Sequence, residues 1–528
     1  MNKVNKVMAL ALASIGCASG LSACKIGGGG VPDGRTEIKV SIMSGGFGYE
    51  WLETLINDAN QSQDTYWFTQ IGDNKNTAET ITTRIESGIV EADIYLTSGD
   101  FSPLIEKGLV EDLTPVYESA SPDETKTIKE RSNNYDRYAA DYGKDGKIYA
   151  MQYMLSMSGI ICDYDLFEEM GWLLTDNTTE SGLSKGADEK EGTYDDGFPV
   201  TYEEFKELIQ KIKRDNCVPF IRGDNVGWQQ YRATIEPVWA QYEGLDNYMV
   251  PYTYSGTYHS PSDPNKVVEV TPETGYKVYT ENCMEGREKA YQFLTEMYLY
   301  NDLENFYEER SISNTVAQAY FVTSHAMQNR IAMLLDGEWW ENEARRAFEE
   351  DAYENGEGYA YGKRDFRFVP LPEMPGQAAE SKGKHYFKGG TSGCVFVHKQ
   401  EDEGKRNAIF DFLRMYASEK NCLNYTKANG CLMPFEYEIP DDVKETLSNF
   451  SRHMLDVKND SSTVLVEYMY LLEKSPFVNT PPRWENILVG TKTYPSPTNL
   501  YNETKMSPAD YMKAVCSSYN ADKWKDIK

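Results

Sequence analysis

The chain has 528 residues, of which 40% are hydrophobic, so it is long enough for two or three domains and is not a disordered polypeptide. Its formal net charge of −30 argues against nucleic acid or an anionic membrane surface as a partner and disfavours a strongly anionic ligand. The 38 tyrosines and 9 tryptophans offer flat rings with polar tips, which suit sugar binding, although compositional bias alone would give the same counts.

The N-terminus has the features of a secretion signal. A short basic region with two lysines precedes an apolar run, Val7–Ile15, that is too short to span a bilayer as a stable helix. The motif "LSAC" that follows resembles a bacterial lipobox, in which a peptidase cuts before the cysteine and that cysteine carries a lipid. The resemblance implies that residues 1–23 are removed and that Cys24, at the start of a Gly-rich tether (24–35), anchors the chain outside the cell membrane. An ordinary signal peptide with a chance cysteine is the alternative.

Strands and helices alternate after the tether. Apolar alternation predicts a strand at "EIKVSIMS" (37–44), and "YEWLETLINDAN" then continues as a helix. A strand ("YWFTQI"), a helix ("TAETITTRIESG"), a third strand ("ADIYLTSGD") and a short helix ("FSPLIEK") follow. This alternation predicts a mostly parallel sheet that is covered by helices on both faces.

A second unit of the same kind begins near residue 200. Thr201 and Glu204 are placed as a capping box at the start of a helix, and "CVPFI" is the strand that follows it. Further helices are predicted at 226–242, 286–300, 313–326, 405–418 and 462–473, and further strands at 330–335, 366–371 and 393–398. Polar segments rich in Gly and Asp are predicted as surface insertions at 175–197, 255–275 and 350–363.

A series of stretches in a fixed order carries a family resemblance. They are "ADIYLTSGDFSPLIEKGLVEDLTP", "DGKIYAMQYMLSMSGIICDYDLFEEMG", "PVTYEEFKELIQKIK", "IAMLLDGEWW", and a late group of "KGGTSGCVFVHK", "NAIFDFLRMYASEKN" and "NGCLMPF". Their order resembles that of the carbohydrate-binding class of bacterial extracellular solute-binding proteins, the receptors that feed sugar importers driven by ATP. Together the stretches extend over nearly all of the chain after the signal segment.

The resemblance implies an α/β, two-lobed fold of the periplasmic-binding-protein type. Each lobe would be a mostly parallel sheet flanked by helices, and crossover strands would join the lobes as a hinge around the ligand. The hinge is expected near Ile148–Tyr153 and again near Pro370–Glu373. The implied division is 36–150 with 373–435 for lobe 1, and 151–372 with 436–528 for lobe 2.

Two turns after predicted strands are candidate ligand contacts, because open α/β sheets bind ligands outside the carboxyl ends of their strands. The turn "SGGFGYEW" offers Glu50 and Trp51, and its glycines let a backbone approach closely. The turn "TSGD" offers Asp100, whose carboxylate can accept two sugar hydroxyls. The alternatives are an ordinary tight turn with Trp51 in the core and an N-cap role for Asp100.

Two adjacent tryptophans follow the strand "IAMLL" in the motif "DGEWW". At the junction of a strand and a helix, one ring can face a ligand while its neighbour turns back against its own lobe. The family resemblance implies that Trp339 is the platform on which a sugar stacks, and Trp340 is the second candidate. Covering ~80–100 Å² of a sugar face at ~25 cal/mol/Å² contributes roughly 2 kcal/mol per ring.

Trp228 and three weaker candidates complete the predicted site. Trp228 lies at the start of a predicted helix, whose other apolar residues are predicted to form a core face. Tyr153 lies at the end of the first hinge segment. Gly390 and Thr391 belong to the stretch "GGTS" before a predicted strand.

The sequence contains no recognisable catalytic, metal or cofactor motif. Its five histidines are dispersed without metal-ligand spacing, and neither a Gly-x-Ser-x-Gly motif nor a phosphate loop occurs. Seven scattered cysteines beyond the signal and the lipobox predict buried thiols, and a bridge between Cys422 and Cys431 is the one conceivable disulfide. We therefore predict a protein that is not an enzyme and needs no cofactor.

These features predict a lipid-anchored receptor that captures a neutral oligosaccharide by lobe closure and passes it to the membrane permease of an ABC importer. A monomer is expected, with no nucleic-acid partner and with contact to the membrane through the lipid alone. One alternative is a cell-surface glycoside hydrolase, which requires two carboxylates facing each other across the cleft. The other is a peptide-binding receptor of the same fold, which would want a fixed charged residue for the peptide termini.

Overall fold

The computed structural model describes residues 30–43, 45–73, 77–133, 145–224, 227–299, 304–307, 311–466, 484 and 487–526. The predicted signal peptide, Cys24 and most of the tether lie outside these described residues. At 72–73, 227–229 and 391–392 only the backbone is described. Within this part of the chain, every helix is too short or too polar to cross a membrane.

The strands are short in each lobe and long where the chain crosses between lobes. In chain order they are β1 (Thr36–Ile42), β2 (Tyr66–Asp73), β3 (Ile94–Thr97), β4 (Met151–Asp163), β5 (Val218–Ile221), β6 (Gly256–His259), β7 (Val267–Val270), β8 (Ile331–Gly337), β9 (Phe366–Val369), β10 (His385–Val397), β11 (Thr463–Val466), β12 (Ile487–Val489) and β13 (Lys492–Tyr494).

Helices cover this framework. In chain order they are α1 (Glu50–Ser62), α2 (Ala78–Glu86), α3 (Ser102–Glu106), α4 (Thr114–Tyr117), α5 (Ile128–Arg131), α6 (Tyr164–Glu169), α7 (Tyr202–Arg214), α8 (Gly227–Glu243), α9 (Leu245–Thr253), α10 (Lys277–Thr280), α11 (Glu285–Phe293), α12 (Asn314–Thr323), α13 (Trp340–Glu343), α14 (Arg345–Asn355), α15 (Glu403–Tyr416), α16 (Glu419–Asn429), α17 (Asp441–Lys444), α18 (Asn449–Asn459), α19 (Pro497–Thr504), α20 (Pro508–Cys516) and α21 (Ala521–Lys525).

A mixed sheet of nine strands runs through both lobes in the order β2-β1-β3-β10-β4-β8-β5, with β11 beside β10 and β9 beside β4. The strand and helix alternation predicted parallel pairing, and this is confirmed for β1 with β2 and β3, and for β5 with β8. The antiparallel pairs of this sheet all involve β4 or β10. The parallel regions therefore belong to the separate lobes, and the two long strands join them.

The two crossing strands, β4 and β10, have 13 residues each and pair antiparallel with each other. The end of β10 pairs with β3 of lobe 1, and its beginning pairs with β11. The second half of β4 pairs with β8 and β9 of lobe 2. The middle of both strands therefore lies between the two lobes.

Each lobe has its own hydrophobic core. The lobe-1 core joins β1, α1, α15 and α16, and the lobe-2 core joins α7, α8, α11 and α20. A third cluster, the β8 core, lies around β8, β9, α12 and α18. Leu371, Met374 and Tyr386 belong to the lobe-2 core, so these contacts favour a chain crossing inside β10 over one near Pro370–Glu373. The lobe boundaries themselves stay a prediction.

Several local predictions can be checked. The capping box is confirmed, because Thr201 Oγ1 accepts from Glu204 N at 3.2 Å and Glu204 Oε2 accepts from Thr201 N at 2.8 Å. The helix predicted from residue 462 is wrong at its start, because the β-branched run at 463–466 forms β11 on the edge of β10. Cys422 and Cys431 are buried, free thiols.

The predicted insertions are more regular than their composition indicates. Residues 256–259 and 267–270 pair as the hairpin β6–β7, and α14 extends to residue 355. Polar segments that lack periodicity can thus acquire regular structure from cross-strand pairing or from a preceding helix.

Candidate functional site

Trp339 lies where the two lobes meet. It follows β8 directly after Glu338, and its half-buried indole packs against the lobe-1 core. The ring centroids of Trp339 and Phe47 lie 5.7 Å apart, at an interplanar angle of 55°. A Cβ placed on Gly46 would lie 2.9 Å from Trp339 Cδ1, so the ring contacts the glycine turn after β1. A residue of lobe 2 therefore reaches the turn of lobe 1 that the sequence singled out.

Two glycines make this approach possible. At Gly337 any Cβ would overlap the Trp339 indole, which folds back over the end of β8. Gly46 has a φ of +90°, which a residue with a side chain rarely adopts, and a Cβ there would also crowd the ring. Both "DGEWW" and the turn "SGGFG" thus need a residue without a side chain where the Trp339 ring lies.

Backbone and side-chain hydrogen bonds join the same elements. Asn342 Nδ2 donates to Asn429 O at 2.5 Å, and Asn429 Nδ2 donates to Phe47 O at 3.1 Å. Asn342 belongs to α13, which follows the tryptophan pair, and Asn429 ends α16 of lobe 1. The segment that carries Trp339 is therefore tied to lobe 1 through α16.

Trp340 points the other way, as the position at a strand and helix junction predicted. Its side chain is 0% exposed and lies in the β8 core. The surrounding rings belong to phenylalanines at centroid distances of 5.0 to 5.8 Å: Phe321, Phe348, Phe366 and Phe450. Since no face of Trp340 is open to a ligand, it is left out of the candidate site.

A group of polar side chains lies beside Trp339 on lobe 2. Gln318 Nε2 donates to Asp336 Oδ2 at 2.9 Å and to Glu343 Oε2 at 2.7 Å. A Cβ on Gly46 would lie 2.8 Å from Glu343 Oε1, so this carboxylate also faces the turn of lobe 1. The sequence analysis missed Glu343, although its position four residues after Trp339 is the spacing of neighbours on one helix face.

This polar group continues to the end of β5. Asn314 Oδ1 accepts from Gln230 Nε2 at 2.6 Å, and Gln230 Oε1 accepts from Gly223 N at 3.1 Å. Trp228, for which only the backbone is described, is the second residue of α8, the helix that also carries Gln230. The described hydrogen bonds therefore bring the start of α8 and the Trp339 segment to the same end of the sheet, and the role of the Trp228 side chain stays a prediction.

The carboxyl groups beside Trp339 hold their protons tightly. Burial, reinforced by the neighbouring charge of Glu343, raises the pKa of Asp336 to about 7. Burial also raises the pKa of Glu343, against the lowering effect of hydrogen bonds from Gln318 and Asn314. One Gln amide thus bridges two carboxyl groups that favour the neutral form.

The Asp336 carboxyl is expected to make the free energy of unfolding fall as pH rises from about 4 to about 7, against the opposite effect of His453, whose pKa burial lowers to about 3. The folded state binds the Asp336 proton up to about pH 7, whereas the unfolded state releases it near the ordinary value of 3.8, so raising the pH favours unfolding. Each pKa unit corresponds to about 1.4 kcal/mol. Glu341 and Glu243, whose pKa values burial raises to about 7 and about 8, act in the same direction. Urea denaturation at pH 4.5, 5.5, 6.5 and 7.5 measures this slope.

Asp336→Asn is expected to flatten that slope by removing one titrating group. The matched control is Asp100→Asn, which changes an exposed carboxylate in lobe 1 and is expected to keep the wild-type slope. Equal slopes for the wild type and Asp336→Asn would contradict the assignment of the effect to Asp336.

The carboxylates predicted in lobe 1 are exposed and bind their own turns. Glu50 Oε2 accepts from Tyr49 N at 3.1 Å, at the start of α1. Asp100 Oδ1 accepts from Ser102 N at 2.8 Å, but the N-cap of α3 is Phe101, so the N-cap alternative for Asp100 is wrong. Asp100 N also donates to Glu79 Oε1 at 2.8 Å, so Glu79, which the sequence analysis missed, lies over the same turn.

Trp51 and Tyr153 lie behind the glycine turn rather than in it. Trp51 is 1% exposed and packs against the rings of Tyr416 and Tyr425 in the lobe-1 core. Tyr153 is 0% exposed, and its hydroxyl donates to Met43 O at 3.1 Å. Both positions are those of core residues that support the turn, which for Trp51 was the stated alternative.

Gly390 and Thr391 lie in the middle of the crossing strands. Gly390 pairs with Ser156 of β4 and accepts a hydrogen bond from its Oγ at 3.2 Å, and Thr391 pairs with Leu155. Their place is therefore the connection between the lobes, and contact with a ligand stays a prediction for both.

The carboxyl groups beside Trp339 lie together on lobe 2. Among the described residues, no three His, Cys, Asp or Glu side chains converge as a metal-ligand set. Asp336 and Glu343 share one amide donor on lobe 2, whereas a glycoside hydrolase needs carboxyl groups on opposite sides of the bond that it cleaves. A ring face, carboxyl groups and amides therefore meet at the lobe junction.

Comparison with known proteins identifies a family and a fold. The family described as bacterial extracellular solute-binding protein matches residues 67–448, well over half of the chain. A comparison with curated proteins gives no significant match.

Solved structures share the fold at low sequence identity. The apo form of RafE from Streptococcus pneumoniae has a TM-score of 0.55 at 15% identity, over 92% of this chain and 98% of RafE. A structure from work on xylan utilization by Caldanaerobius polysaccharolyticus has a TM-score of 0.55 at 16% identity, over 92% of this chain and 100% of the other. A chitin oligosaccharide binding protein has a TM-score of 0.51 at 14% identity, over 93% of this chain and 96% of the other. At these identities the likeness establishes the two-lobed fold.

Proposed function

Because the chain belongs to the bacterial extracellular solute-binding proteins, we propose that it is the receptor of an ABC-type importer and that its solute is a neutral oligosaccharide. The solute would be held between the lobes and released unchanged to a membrane permease. The single observation that carries this proposal is the half-buried indole of Trp339, which spans the lobe junction next to buried polar groups.

The ring supports a sugar ligand in particular. A sugar presents an apolar C–H face, and burying it on one indole contributes roughly 2 kcal/mol at ~25 cal/mol/Å². A micromolar ligand requires about −8 kcal/mol. Trp339 with one further ring, such as Trp228, and a few polar anchors supplies a free energy of this size.

The charges around the ring support a neutral ligand. Glu50 and Asp100 are exposed carboxylates that follow strands of lobe 1, whereas burial makes Asp336 and Glu343 beside Trp339 favour the neutral form. Carboxylates accept hydrogen bonds from hydroxyl groups and repel acidic sugars. The overall charge of −30 acts in the same direction.

The structural neighbours are consistent with this ligand class. RafE in complex with raffinose has a TM-score of 0.53 over 92% of this chain, and the neighbour described as a chitin oligosaccharide binding protein names another glycan. Because these proteins are at most 16% identical to this chain, they support the class of ligand and leave the particular sugar open.

The lipid anchor is proposed on the motif "LSAC" and the Gly-rich stretch after it. Acylation at Cys24 would keep the receptor beside its permease on the outer face of the cell membrane, and the tether would leave the lobes free to close. Mass spectrometry of the protein from a bacterial host with lipoprotein processing tests this part by itself, because an unmodified N-terminus would contradict it.

Isothermal titration of the purified chain against raffinose, xylo-oligosaccharides, chito-oligosaccharides and malto-oligosaccharides tests the proposal. One class is expected to bind with micromolar or tighter affinity, and small-angle scattering is expected to show a smaller radius of gyration for the complex because the lobes close. The absence of binding to every glycan, together with unchanged scattering, would contradict a sugar receptor. A reducing-sugar assay on each bound glycan distinguishes the glycoside hydrolase alternative, for which new reducing ends would appear.

A further inference from the structure

A buried ion pair lies next to the proposed stacking ring. The Glu338 carboxylate pairs with the Lys458 ammonium, and the two side chains are 0% and 3% exposed. Glu338 is the residue between Gly337 and Trp339, and Lys458 belongs to the last turn of α18. Burying two charges is unfavourable unless they are paired and hydrogen-bonded, so such a pair is weak evidence for stability by itself. We therefore look to its position beside Trp339 for a role other than stability.

The pair joins three elements at the middle of a crossing strand. Lys458 Nζ donates to Leu155 O at 3.0 Å, and Glu338 N donates to Met157 O at 2.9 Å. Leu155 and Met157 lie in β4, opposite Thr391 and Gly389 of β10. The end of β8, the end of α18 and the hinge strand are thus held together by one carboxylate, one ammonium and two backbone carbonyls.

The helix that supplies the lysine is fixed in the β8 core. Phe450, Met454 and Val457 of α18 are buried there, in the same cluster as Trp340. The ammonium also lies at the C-terminal end of α18, where the helix dipole favours a positive charge. Lys458 is therefore presented from a rigid element, and the pair can transmit that rigidity to the segment that carries Trp339.

We propose that Glu338 and Lys458 are positioning residues that hold Trp339 at the lobe junction in the orientation that binds the ligand. This inference rests on the proposed function, because it assumes that Trp339 contacts the solute. Without the pair, the backbone at 337–339 would lose its side-chain attachment to α18, and the indole would leave the glycine turn of lobe 1. The fold would remain, because an uncharged pair of similar shape fills the same space.

The test is the double variant K458M/E338L, which removes both charges together and leaves neither one buried alone. Labelling with 5-fluorotryptophan gives one fluorine resonance per tryptophan, and the resonances of Trp339 and Trp340 are assigned by their loss in W339F and W340F. Without ligand, the double variant is expected to shift the Trp339 resonance and leave the Trp340 resonance in place. Affinity of the folded double variant for the glycan that the wild type binds is expected to fall tenfold or more.

The matched control is R131M/E124L, which removes a partly buried ion pair of lobe 1 far from Trp339 in the chain. It is expected to leave both the Trp339 resonance and the affinity unchanged. If K458M/E338L does not fold, K458R keeps the charge and alters its geometry, and a smaller shift of the same resonance is expected.

The outcomes separate this inference from the proposed function. An unchanged Trp339 resonance in the folded double variant overturns the positioning role, whether or not a glycan binds. A shifted resonance with undiminished affinity also overturns it. If the wild type binds no glycan, the proposed function fails instead, while the resonance still reports whether the ion pair positions the ring.

Discussion

Replacing Trp339 with alanine is expected to lower the affinity for the bound glycan tenfold or more without unfolding the protein. The ring is half-buried, contacts Phe47 and the glycine turn of lobe 1, and keeps an open part at the lobe junction. The stacking free energy lost is roughly 2 kcal/mol, which is more than the ~1.4 kcal/mol that corresponds to a tenfold change in affinity. Isothermal titration against the glycan found for the wild type measures the effect, and circular dichroism reports the fold.

Trp67→Ala is the matched control for this loss. Trp67 is another half-buried tryptophan, but it lies on β2, opposite Glu37 of β1, with the Arg35 guanidinium 5.4 Å from its ring centroid. Its replacement is expected to leave the affinity unchanged. Trp339→Phe should retain part of the binding because a smaller flat ring remains. An unchanged affinity in Trp339→Ala would remove this residue from the site.

Much of the fold could be predicted from the sequence because its signals are local. The alternation of strands and helices and the capping box at Thr201 depend on neighbours within a few residues. The strand β11 could not be predicted in this way, because the apolar spacing at 462–473 also fits a helix and the free edge of β10 decides the outcome. Non-local pairing is not visible in the periodicity of one segment.

The crossing strands show the same limit. β4 is apolar over most of its length because it is buried between β8, β9 and β10, and such a run lacks alternation. β10 contains the sequence "GGTSG", which is typical of a turn, yet it continues as a strand beside β4. The family resemblance led to the prediction of a first crossover between the lobes. Composition predicted neither β4 nor β10 as a crossing strand.

The part of the candidate site that could be predicted is the tryptophan pair, because its orientation depends only on the local junction of a strand and a helix. Trp339 and Trp340 separate because neighbouring residues at a strand and helix junction face different ways. Asn314 and Gln318 could not be predicted, because α12 comes to the junction only through tertiary packing. Trp51 shows the converse case, since an aromatic residue after a glycine turn looks the same in sequence whether it faces the cleft or the core.

Replacing Trp340 with alanine is expected to produce the opposite phenotype, a large loss of stability with little change in affinity per folded molecule. The side chain is 0% exposed among four phenylalanine rings of the β8 core. Truncating a buried tryptophan typically costs about 3–5 kcal/mol, because it removes apolar contacts and leaves a cavity. Urea denaturation measures the loss, and titration of the folded variant at low temperature measures the affinity.

Trp340→Phe is the control that keeps an aromatic ring in the β8 core, and it is expected to lose less stability than Trp340→Ala because the cavity is smaller. Stability of Trp340→Ala equal to the wild type would contradict the buried position, and a tenfold loss of affinity in the folded variant would place this residue in the site. Trp339 and Trp340 are adjacent in sequence, so general effects on the segment would act on both variants alike. If Trp339→Ala loses binding and Trp340→Ala loses stability, the difference would therefore follow from the direction in which each ring points.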